Sequence, residues 1–362
     1  MFEEDKYLKS STNAMDFIKA QCNNKSNLPI SYYAKNSFLK NRSYIYDIGL
    51  TLLALTSNKD FSLCKKILTT ISNIQNADGS FNFYYDATNI QKSRDNIKTG
   101  AISWLLWGIC FYTYHSNDKS YIPLIKKIEY WLLSMQILDK EDFRYGLFVG
   151  GYNNSTEKIY WCSLEHNLSV IQGLNGLFII TKDTKYKTIS NLVLNSILNK
   201  LYSKENQRFY QGINLNGIDK SKSLDCATWT GLVFSNCYNK DIAINCINYA
   251  RKTFLFVDKY NGFKPYAKGF DYKEPPNLLW TEGTLGYCIL ALRLNKYDES
   301  KIFIDEIIKI QEKESLNKGV VYSTTTCTIS PYEFHKYESV ASTAWLYLIL
   351  TNDNAIFSNK FI

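Results

Sequence analysis

The chain has 362 residues, of which 45% are hydrophobic and 15% aromatic, with only six prolines. This composition argues against a disordered chain, and the length suffices for one large domain or two modest ones with a sizeable core. The repeats described below favour a single domain over residues 1–362. The formal net charge is +8, but the lysines are spread along helix-like faces, so we expect no nucleic-acid partner. The polar, acidic N-terminus and the lack of an apolar run of about 18 residues predict a cytoplasmic protein with no signal peptide and no membrane contact.

The nine cysteines are scattered along the chain. Cys110, Cys162 and Cys288 lie inside apolar segments, which indicates small core residues in a reducing compartment rather than a disulfide framework. No CxxC pair occurs and no histidine lies near a pair of cysteines, so the spacing of zinc ligands is missing. We therefore predict no metal and no cofactor.

Six segments, taken in chain order, share one pattern of a polar or acidic residue followed by dense apolar and small residues. They are "YDIGLTLLAL" from Tyr46, "TGAISWLLWGICFY" from Thr99, "LEHNLSVIQGLNGLFII" from Leu164, "LDCATWTGLVF" from Leu224, "WTEGTLGYCILAL" from Trp280 and "YESVASTAWLYLIL" from Tyr337. Their starts are roughly 55–65 residues apart, which indicates an internal repeat. Because each run is apolar nearly all round, it predicts a fully buried helix.

An amphipathic segment follows each of the first five runs, with the periodicity of a surface helix that buries one face. Clear examples are "FSLCKKILTTISNIQ", "YIPLIKKIEYWLLSMQ" and "SKIFIDEIIKIQ". The N-terminal "STNAMDFIKAQC" predicts one more outer helix, with Ser11 or Thr12 as its N-cap. The sequence thus predicts an all-α fold of six inner and six outer helices. Turn-rich stretches such as "DFRYGLFVGGYN" predict short hairpins or loops on one face, around the N-termini of the inner helices.

This organisation resembles the six-hairpin glycosidase-like (α/α)6 toroid superfamily over roughly residues 8–351. The resemblance rests on the repeats and not on a tight catalytic signature. It implies a funnel at the N-terminal end of the inner helices, lined by acids and aromatic rings. It also implies a carbohydrate-active enzyme, most often a glycoside hydrolase, while some relatives are lyases or epimerases.

Two other functions stay open at this stage. Terpene cyclases and prenyltransferases are also toroids, and "QNADGSF" from Gln75 resembles their repeat motif. Only the first repeat carries that motif cleanly, and Asp225 is not part of a DxDD cluster. The third reading is a non-catalytic scaffold that binds a glycan or peptide in the same funnel, because a fold alone does not define a function.

Five of the six predicted inner helices begin with an acid, and the exception is the Thr99–Gly100 repeat. The acids are Asp47, Glu165, Asp225, Glu282 and Glu338. Any one of them is explained by the helix macrodipole, which favours acids in the first turn. A closed ring, however, directs all of them into one funnel, where crowded carboxylates make one of them keep its proton. Glycoside hydrolysis needs one protonated and one ionised carboxyl group.

We predict that Glu165 is the general acid and Asp225 the general base, since they belong to adjacent repeats, with Asp47 and Glu282 as alternates. His115 ends an inner helix and is predicted to be structural. The substrate is expected to be a small molecule or an oligosaccharide, and its identity and the oligomeric state stay open. The predicted substrate contacts are His166, Asn167, Trp161, Trp229, Trp280, Glu338, Tyr46, Tyr337 and His335.

Overall fold

The computed structural model describes residues 2, 4–35, 37–236, 239–269, 272–330, 332–351 and 355–361, and within them the chain forms twelve α-helices in two layers. The inner helices are α2 (Ile45–Ser57), α4 (Thr99–Ser116), α6 (Leu164–Thr181), α8 (Leu224–Asn236), α10 (Thr281–Arg293) and α12 (Val340–Thr351). The outer helices are α1 (Asp5–Gln21), α3 (Phe61–Ile74), α5 (Ile122–Ser134), α7 (Lys185–Leu201), α9 (Lys240–Phe254) and α11 (Tyr297–Glu314).

The inner helices form a closed ring. Each of them packs against the next, and α12 packs against α2. Each outer helix from α3 onward packs on the inner helix that precedes it, while α1 packs on α12. The predicted (α/α)6 toroid of six inner and six outer helices is therefore confirmed.

The first outer helix begins earlier than the sequence predicted. It starts at Asp5, and the hydroxyls of Ser11 and Thr12 donate to the carbonyl oxygen of Leu8 from within the helix. The prediction of an N-cap at Ser11 or Thr12 is wrong. The helix extends upstream because Tyr7 is buried and donates a hydrogen bond to Asp305 at 2.8 Å, which ties the first turn to α11.

The two helix layers differ in burial as their sequence patterns predicted. On α3 only one face is buried, including Ile67 and Ile71, whereas α4 is buried all round from Thr99 to Thr113. Glycines allow the inner backbones to approach closely. A Cβ atom on Gly49 would lie only 2.6 Å from the carbonyl oxygen of Trp104 on the facing helix. The small residues of the inner runs are thus a packing requirement of the ring.

Short strands surround the N-terminal ends of the inner helices. In the described ranges they are β1 (Arg42–Tyr44), β2 (Tyr84–Asp86), β3 (Asn89–Arg94), β4 (Ile97–Lys98), β5 (Gly151–Asn153), β6 (Glu157–Ile159), β7 (Cys162–Ser163), β8 (Tyr202–Ser203), β9 (Arg208–Phe209), β10 (Gly212–Asn214), β11 (Gly217–Asp219), β12 (Lys222–Ser223), β13 (Leu255–Val257), β14 (Asn261–Phe263), β15 (Tyr266–Ala267), β16 (Val320–Val321) and β17 (Glu338–Ser339).

These strands link consecutive repeats. The strand that leads into an inner helix pairs antiparallel with a strand from the loop before the following inner helix, as in β1–β2, β4–β5, β7–β10 and β12–β15. At α12, β17 pairs with β16 from the same loop, and Ser339 also forms an isolated antiparallel bridge with Tyr32 in the loop before α2. The predicted hairpins and loops on this face are confirmed, and their pairing fixes where each inner helix begins.

A C-terminal segment, residues 355–361, packs along the axis of the ring. Trp107 Nε1 donates to the carbonyl oxygen of Ala355 at 2.7 Å, and Arg293 Nη1 donates to that of Phe357 at 2.9 Å. The backbone N–H of Phe357 donates to the side chain of Gln172. Side chains from three inner helices therefore hold this segment in place.

Three further expectations concern the cysteines, His115 and membrane-spanning helices. All eight cysteines that the structure describes are free, and seven of them are buried, as expected for core residues. His115, in the last turn of α4, packs against Phe111 and Phe361 away from the N-terminal face, in agreement with a structural role. Across the described ranges, every helix is too short or too polar to cross a membrane.

Candidate active site

A cavity of about 460 Å³ lies at the N-terminal ends of the inner helices. The acidic side chains of Asp47, Glu165, Asp225 and Glu282 line it, each from the first turn of its own inner helix. The first turns of α4 and α12 contain no acid. The ring thus brings together the four carboxyl groups that the sequence predicted as catalytic or alternate residues.

Aromatic rings form the inner end of this cavity. Trp104 and Trp229 line it with ring centroids 5.5 Å apart, and Trp345 stacks on Trp229 at 5.9 Å. Phe357 from the C-terminal segment contacts Trp104 and Trp229 at 5.2 and 5.1 Å. These rings surround the carboxyl groups with apolar surface, which disfavours the charged form of an acid.

Glu165 and Asp225 interact with each other and have different surroundings. Burial raises the pKa of Glu165 to about 8, and the negative charge of Asp225 adds to the effect. The hydroxyl of Ser169 lies 3.3 Å from Oε1 of Glu165 and offsets only part of it. Burial also raises the pKa of Asp225. The backbone N–H of Cys226, however, donates to Oδ1 of Asp225 at 2.7 Å, which favours its ionised form.

Glu282 and Asp47 occupy the other side of the cavity. Burial raises the pKa of Glu282 to about 8, and the charges of Asp47 and Asp225 add to the increase. Its Oε1 accepts a hydrogen bond from Tyr46, whose hydroxyl in turn accepts one from Trp345 Nε1 at 2.9 Å. Burial raises the pKa of Asp47 to about 7. The cavity therefore holds several carboxyl groups that can donate a proton near neutral pH.

His166 stands beside Glu165 at the start of α6. Its Nε2 lies 3.5 Å from Oε2 of Glu165, and burial together with the charge of Lys98 lowers its pKa to about 4. The imidazole is therefore neutral at neutral pH, so the contact with Glu165 is not an ion pair. Ser163 is the N-cap residue of α6, since its Oγ accepts the backbone N–H of His166 at 3.3 Å. A Cβ atom on Gly100 would lie 2.5 Å from the imidazole ring, so Gly100 leaves the space that His166 fills.

The structure separates the predicted substrate contacts into two groups. Asn167 and Tyr337 are not among the cavity-lining residues. The Asn167 amide is buried and bonds to the backbone N–H and carbonyl of Phe148, at 2.8 and 3.0 Å. Tyr337 is half-buried and stacks on His335 with centroids 5.8 Å apart. The residues of the set that do line the cavity are Tyr46, Trp161, His166, Trp229, Trp280 and His335.

Glu338 requires a correction. It lies in β17 rather than in the first turn of α12, which begins at Val340. Its Oε1 accepts hydrogen bonds from Ser315 Oγ at 2.5 Å and from the backbone N–H groups of Asn317 and Gly319 at 2.8 Å each. The carboxylate thus satisfies the turn after α11, and it is not among the residues that line the cavity.

Several lining residues were not singled out from the sequence. Most come from the segments that precede inner helices, where a single strand or bend decides which side chains face inward. Lys98 immediately precedes α4, so its position before an inner run was the one available signal. Within the described part of the chain, no group of three or more His, Cys, Asp or Glu residues is arranged to hold a metal ion. The additional lining residues are Tyr32, Leu39, Tyr44, Phe83, Lys98, Ala101, Trp104, Gly150, Ile159, Tyr322, Glu333 and Ala341.

Solved structures with a similar fold include glycosidases and a sugar isomerase. A D-mannose isomerase matches with a TM-score of 0.70 at 12% identity, covering 96% of this chain and 98% of that one. An α-amylase from Clostridium perfringens matches with a TM-score of 0.69 at 14% identity, covering 96% and 98%. A GH76 α-mannanase from Bacteroides thetaiotaomicron matches with a TM-score of 0.64 at 11% identity, covering 96% and 95%. No protein-family model and no curated protein sequence matches the chain.

The fold is therefore that of the six-hairpin glycosidase-like toroids, as the repeat pattern predicted. At identities of 9–14% the likeness defines the architecture and no particular reaction. The neighbours include glycosidases as well as an isomerase, so the reaction has to be argued from the site itself.

Proposed function

We propose that the protein is a glycoside hydrolase in which Glu165 is the general acid and Asp225 the general base or nucleophile. The observation that carries this proposal is the pairing of two adjacent carboxyl groups in one cavity with different surroundings. Burial gives Glu165 a pKa of about 8, so it holds its proton at pH 7. Asp225 accepts a backbone N–H at 2.7 Å, which supports its ionised form.

The chemistry follows from these protonation states. The carboxyl proton of Glu165 passes to the glycosidic oxygen as the bond from that oxygen to the anomeric carbon breaks. The carboxylate of Asp225 either removes a proton from the attacking water or attacks the anomeric carbon itself, depending on the separation of the two groups around the bound sugar. Asp47 and Glu282 are the alternate pair, with Glu282 oriented by the hydroxyl of Tyr46. The tryptophans of the cavity offer apolar faces on which sugar rings can stack.

An isomerase is the second candidate, and one observation favours it. His166 and His335 both line the cavity, and a neutral imidazole is a suitable base for moving a proton between adjacent sugar carbons. This reaction would use the histidines and leave the four carboxyl groups without an evident task. A terpene-cyclase-like reaction is less well supported, because four carboxyl groups are poorly suited to a purely apolar substrate.

Turnover on a panel of glycans tests the proposal. We expect the wild type to release reducing sugar from at least one of α-mannan, starch or their oligosaccharides, and Glu165→Gln and Asp225→Asn to lose about 10²–10⁴-fold. Glu141→Gln, at an exposed position, is the matched control and should keep full activity. Wild-type inactivity on the whole panel, or full activity in both active-site variants, would contradict the proposal. Conversion of mannose to fructose without hydrolysis would favour the isomerase.

Leaving-group dependence separates the two roles. An aryl glycoside with an acidic phenol needs little protonation to leave, so Glu165→Gln should retain much more activity on such a substrate than on a natural glycan. Asp225→Asn should be impaired on both, because the water or the anomeric carbon still needs the carboxylate. If the two variants exchange these behaviours, the assignment of acid and base is reversed.

A further inference from the structure

Lys98 introduces a positive charge into this otherwise acidic cavity. It lies at the end of β4, is half-buried and lines the cavity. Its ammonium group makes no hydrogen bond or ion pair with any part of the chain that the structure describes. Burial and the nearby charge of Arg94 lower its pKa. A cation removed from water without a partner is costly, and an anion in the cavity would compensate that cost.

The first turn of α4 reinforces the positive character of this side. Lys98 is the N-cap residue of α4, and its side chain makes no capping bond. The helix has no acid in its first turn, whereas the helices that bear the four carboxyl groups each have one. No acid in the first turn offsets the partial positive charge of the α4 N-terminus beside Lys98, although the carbonyl oxygen of Gly150 accepts the N–H of Thr99.

The neighbouring histidine contributes a further polar group. His166 is close enough for the charge of Lys98 to lower its pKa, and its Nδ1 is shielded from solvent without a hydrogen-bond partner. Gly100 lies against the same imidazole ring. Lys98, the α4 terminus and His166 therefore lie together on one wall of the cavity, and Lys98 supplies its positive charge.

We propose that this wall is a subsite for an anionic substituent of the sugar substrate, a carboxylate, sulfate or phosphate group. The inference rests on the proposed function, because it names the substrate class of the same cavity. The carboxyl groups on the other helices repel an anion wherever they are ionised, so among the described lining residues only the Lys98 wall can accept it. An acidic sugar would therefore bind in one orientation, with its anionic group held beside α4.

Binding of free sugars tests this subsite independently of turnover. Trp161, Trp229 and Trp280 line the cavity, so tryptophan fluorescence reports occupancy. The probes are glucuronate, glucose 6-sulfate and glucose 6-phosphate, each compared with glucose at pH 7 and equal ionic strength. We expect at least one anionic sugar to bind about tenfold or more tightly than glucose, since a charged hydrogen bond has that effect. Comparison of the affinities of the three anionic sugars identifies whether a carboxylate, sulfate or phosphate group is preferred.

Substitutions of Lys98 locate the effect. Lys98→Met should abolish the preference for the anionic sugar, and Lys98→Arg should keep most of it, while Lys140→Met at an exposed position should change nothing. Equal binding of glucose and all three anions, no binding of any probe, or an unchanged preference in Lys98→Met would overturn the inference. Hydrolysis of neutral glycans by an enzyme insensitive to Lys98→Met would overturn it while leaving the proposed function intact. If the wild type binds anionic sugars selectively but hydrolyses no glycan, the subsite is supported and the proposed function is contradicted.

Discussion

Replacement of Glu165 by glutamine is expected to make the protein more stable at alkaline pH. In the folded protein the pKa of this carboxyl is about 8, against an ordinary value of 4.5. The folded state therefore binds the proton more tightly than the unfolded state. The resulting stability is fully present below about pH 4.5 and is lost as the pH rises through 8. Glutamine does not titrate, so Glu165→Gln does not lose this stability as the pH rises.

The size of the effect follows from the pKa and the exposure of the side chain. A pKa of about 8 in place of 4.5 corresponds to roughly 5 kcal/mol at high pH. The side chain is 26% exposed, so solvent at the cavity screens part of this energy. At pH 9 we expect the free energy of unfolding of Glu165→Gln to exceed that of the wild type by about 2 kcal/mol, because the effective dielectric constant at such a site is high. For a chain of this size that is a few degrees in melting temperature.

Thermal unfolding at pH 5 and pH 9 measures this difference. We expect Glu165→Gln and the wild type to unfold at nearly the same temperature at pH 5, and the variant to unfold at the higher temperature at pH 9. Glu141→Gln, the exposed control, should not show a pH-dependent difference. If Glu165→Gln unfolds at or below the wild-type temperature at pH 9, the carboxyl is not held in a desolvated, proton-retaining site and the reasoning fails.

Three further substitutions test other parts of the structure. Gly100→Ala should lower turnover by about tenfold or more, because its Cβ would lie 2.5 Å from the ring of His166. Gly286→Ala is the control and should retain turnover, because its Cβ atom would lie 3.4 Å from the nearest atom. Equal initial rates of the two alanine variants would contradict the prediction. Glu338→Gln should cost about 1–3 kcal/mol in thermal unfolding without changing the pH profile of activity; an altered profile would indicate an active-site role. Phe357→Ala should cost about 3–5 kcal/mol and shift tryptophan emission to the red, and an unchanged spectrum would contradict its packing on the ring axis.

Much of the fold could be predicted because the two helix layers carry different hydrophobic patterns. Runs buried all round and runs with one buried face alternate along the chain, and their alternation implies a ring. The positions of Glu165 and Asp225 followed from that ring, since equivalent residues of adjacent inner helices must be neighbours. Their environment could not be predicted, because it depends on how loops and aromatic rings from distant repeats exclude water.

The wrong or incomplete predictions have local physical causes. Glu338 has the sequence position of a first-turn acid, but an acid before an apolar run can equally accept hydrogen bonds from an earlier turn, and here it lies in β17 ahead of α12. Asn167 follows Glu165 by two positions, a rotation of about 200°, which places the two side chains on nearly opposite faces of the helix. Helical geometry alone could therefore have excluded Asn167 from the cavity. Lys98 lies outside any helix, so no periodicity marked it.

The site also shows which of two opposing effects controls its acids. A helix N-terminus stabilises a first-turn carboxylate by only about 0.3–1 kcal/mol, which lowers a pKa by less than one. Burial and mutual repulsion act in the opposite direction and are larger, because Glu165 and Glu282 both reach a pKa of about 8. Each helix end alone would favour an ionised acid. When six helix ends close into a ring, the carboxyl groups that they bring together cannot all ionise favourably. A proton donor at neutral pH is therefore a consequence of the toroidal fold.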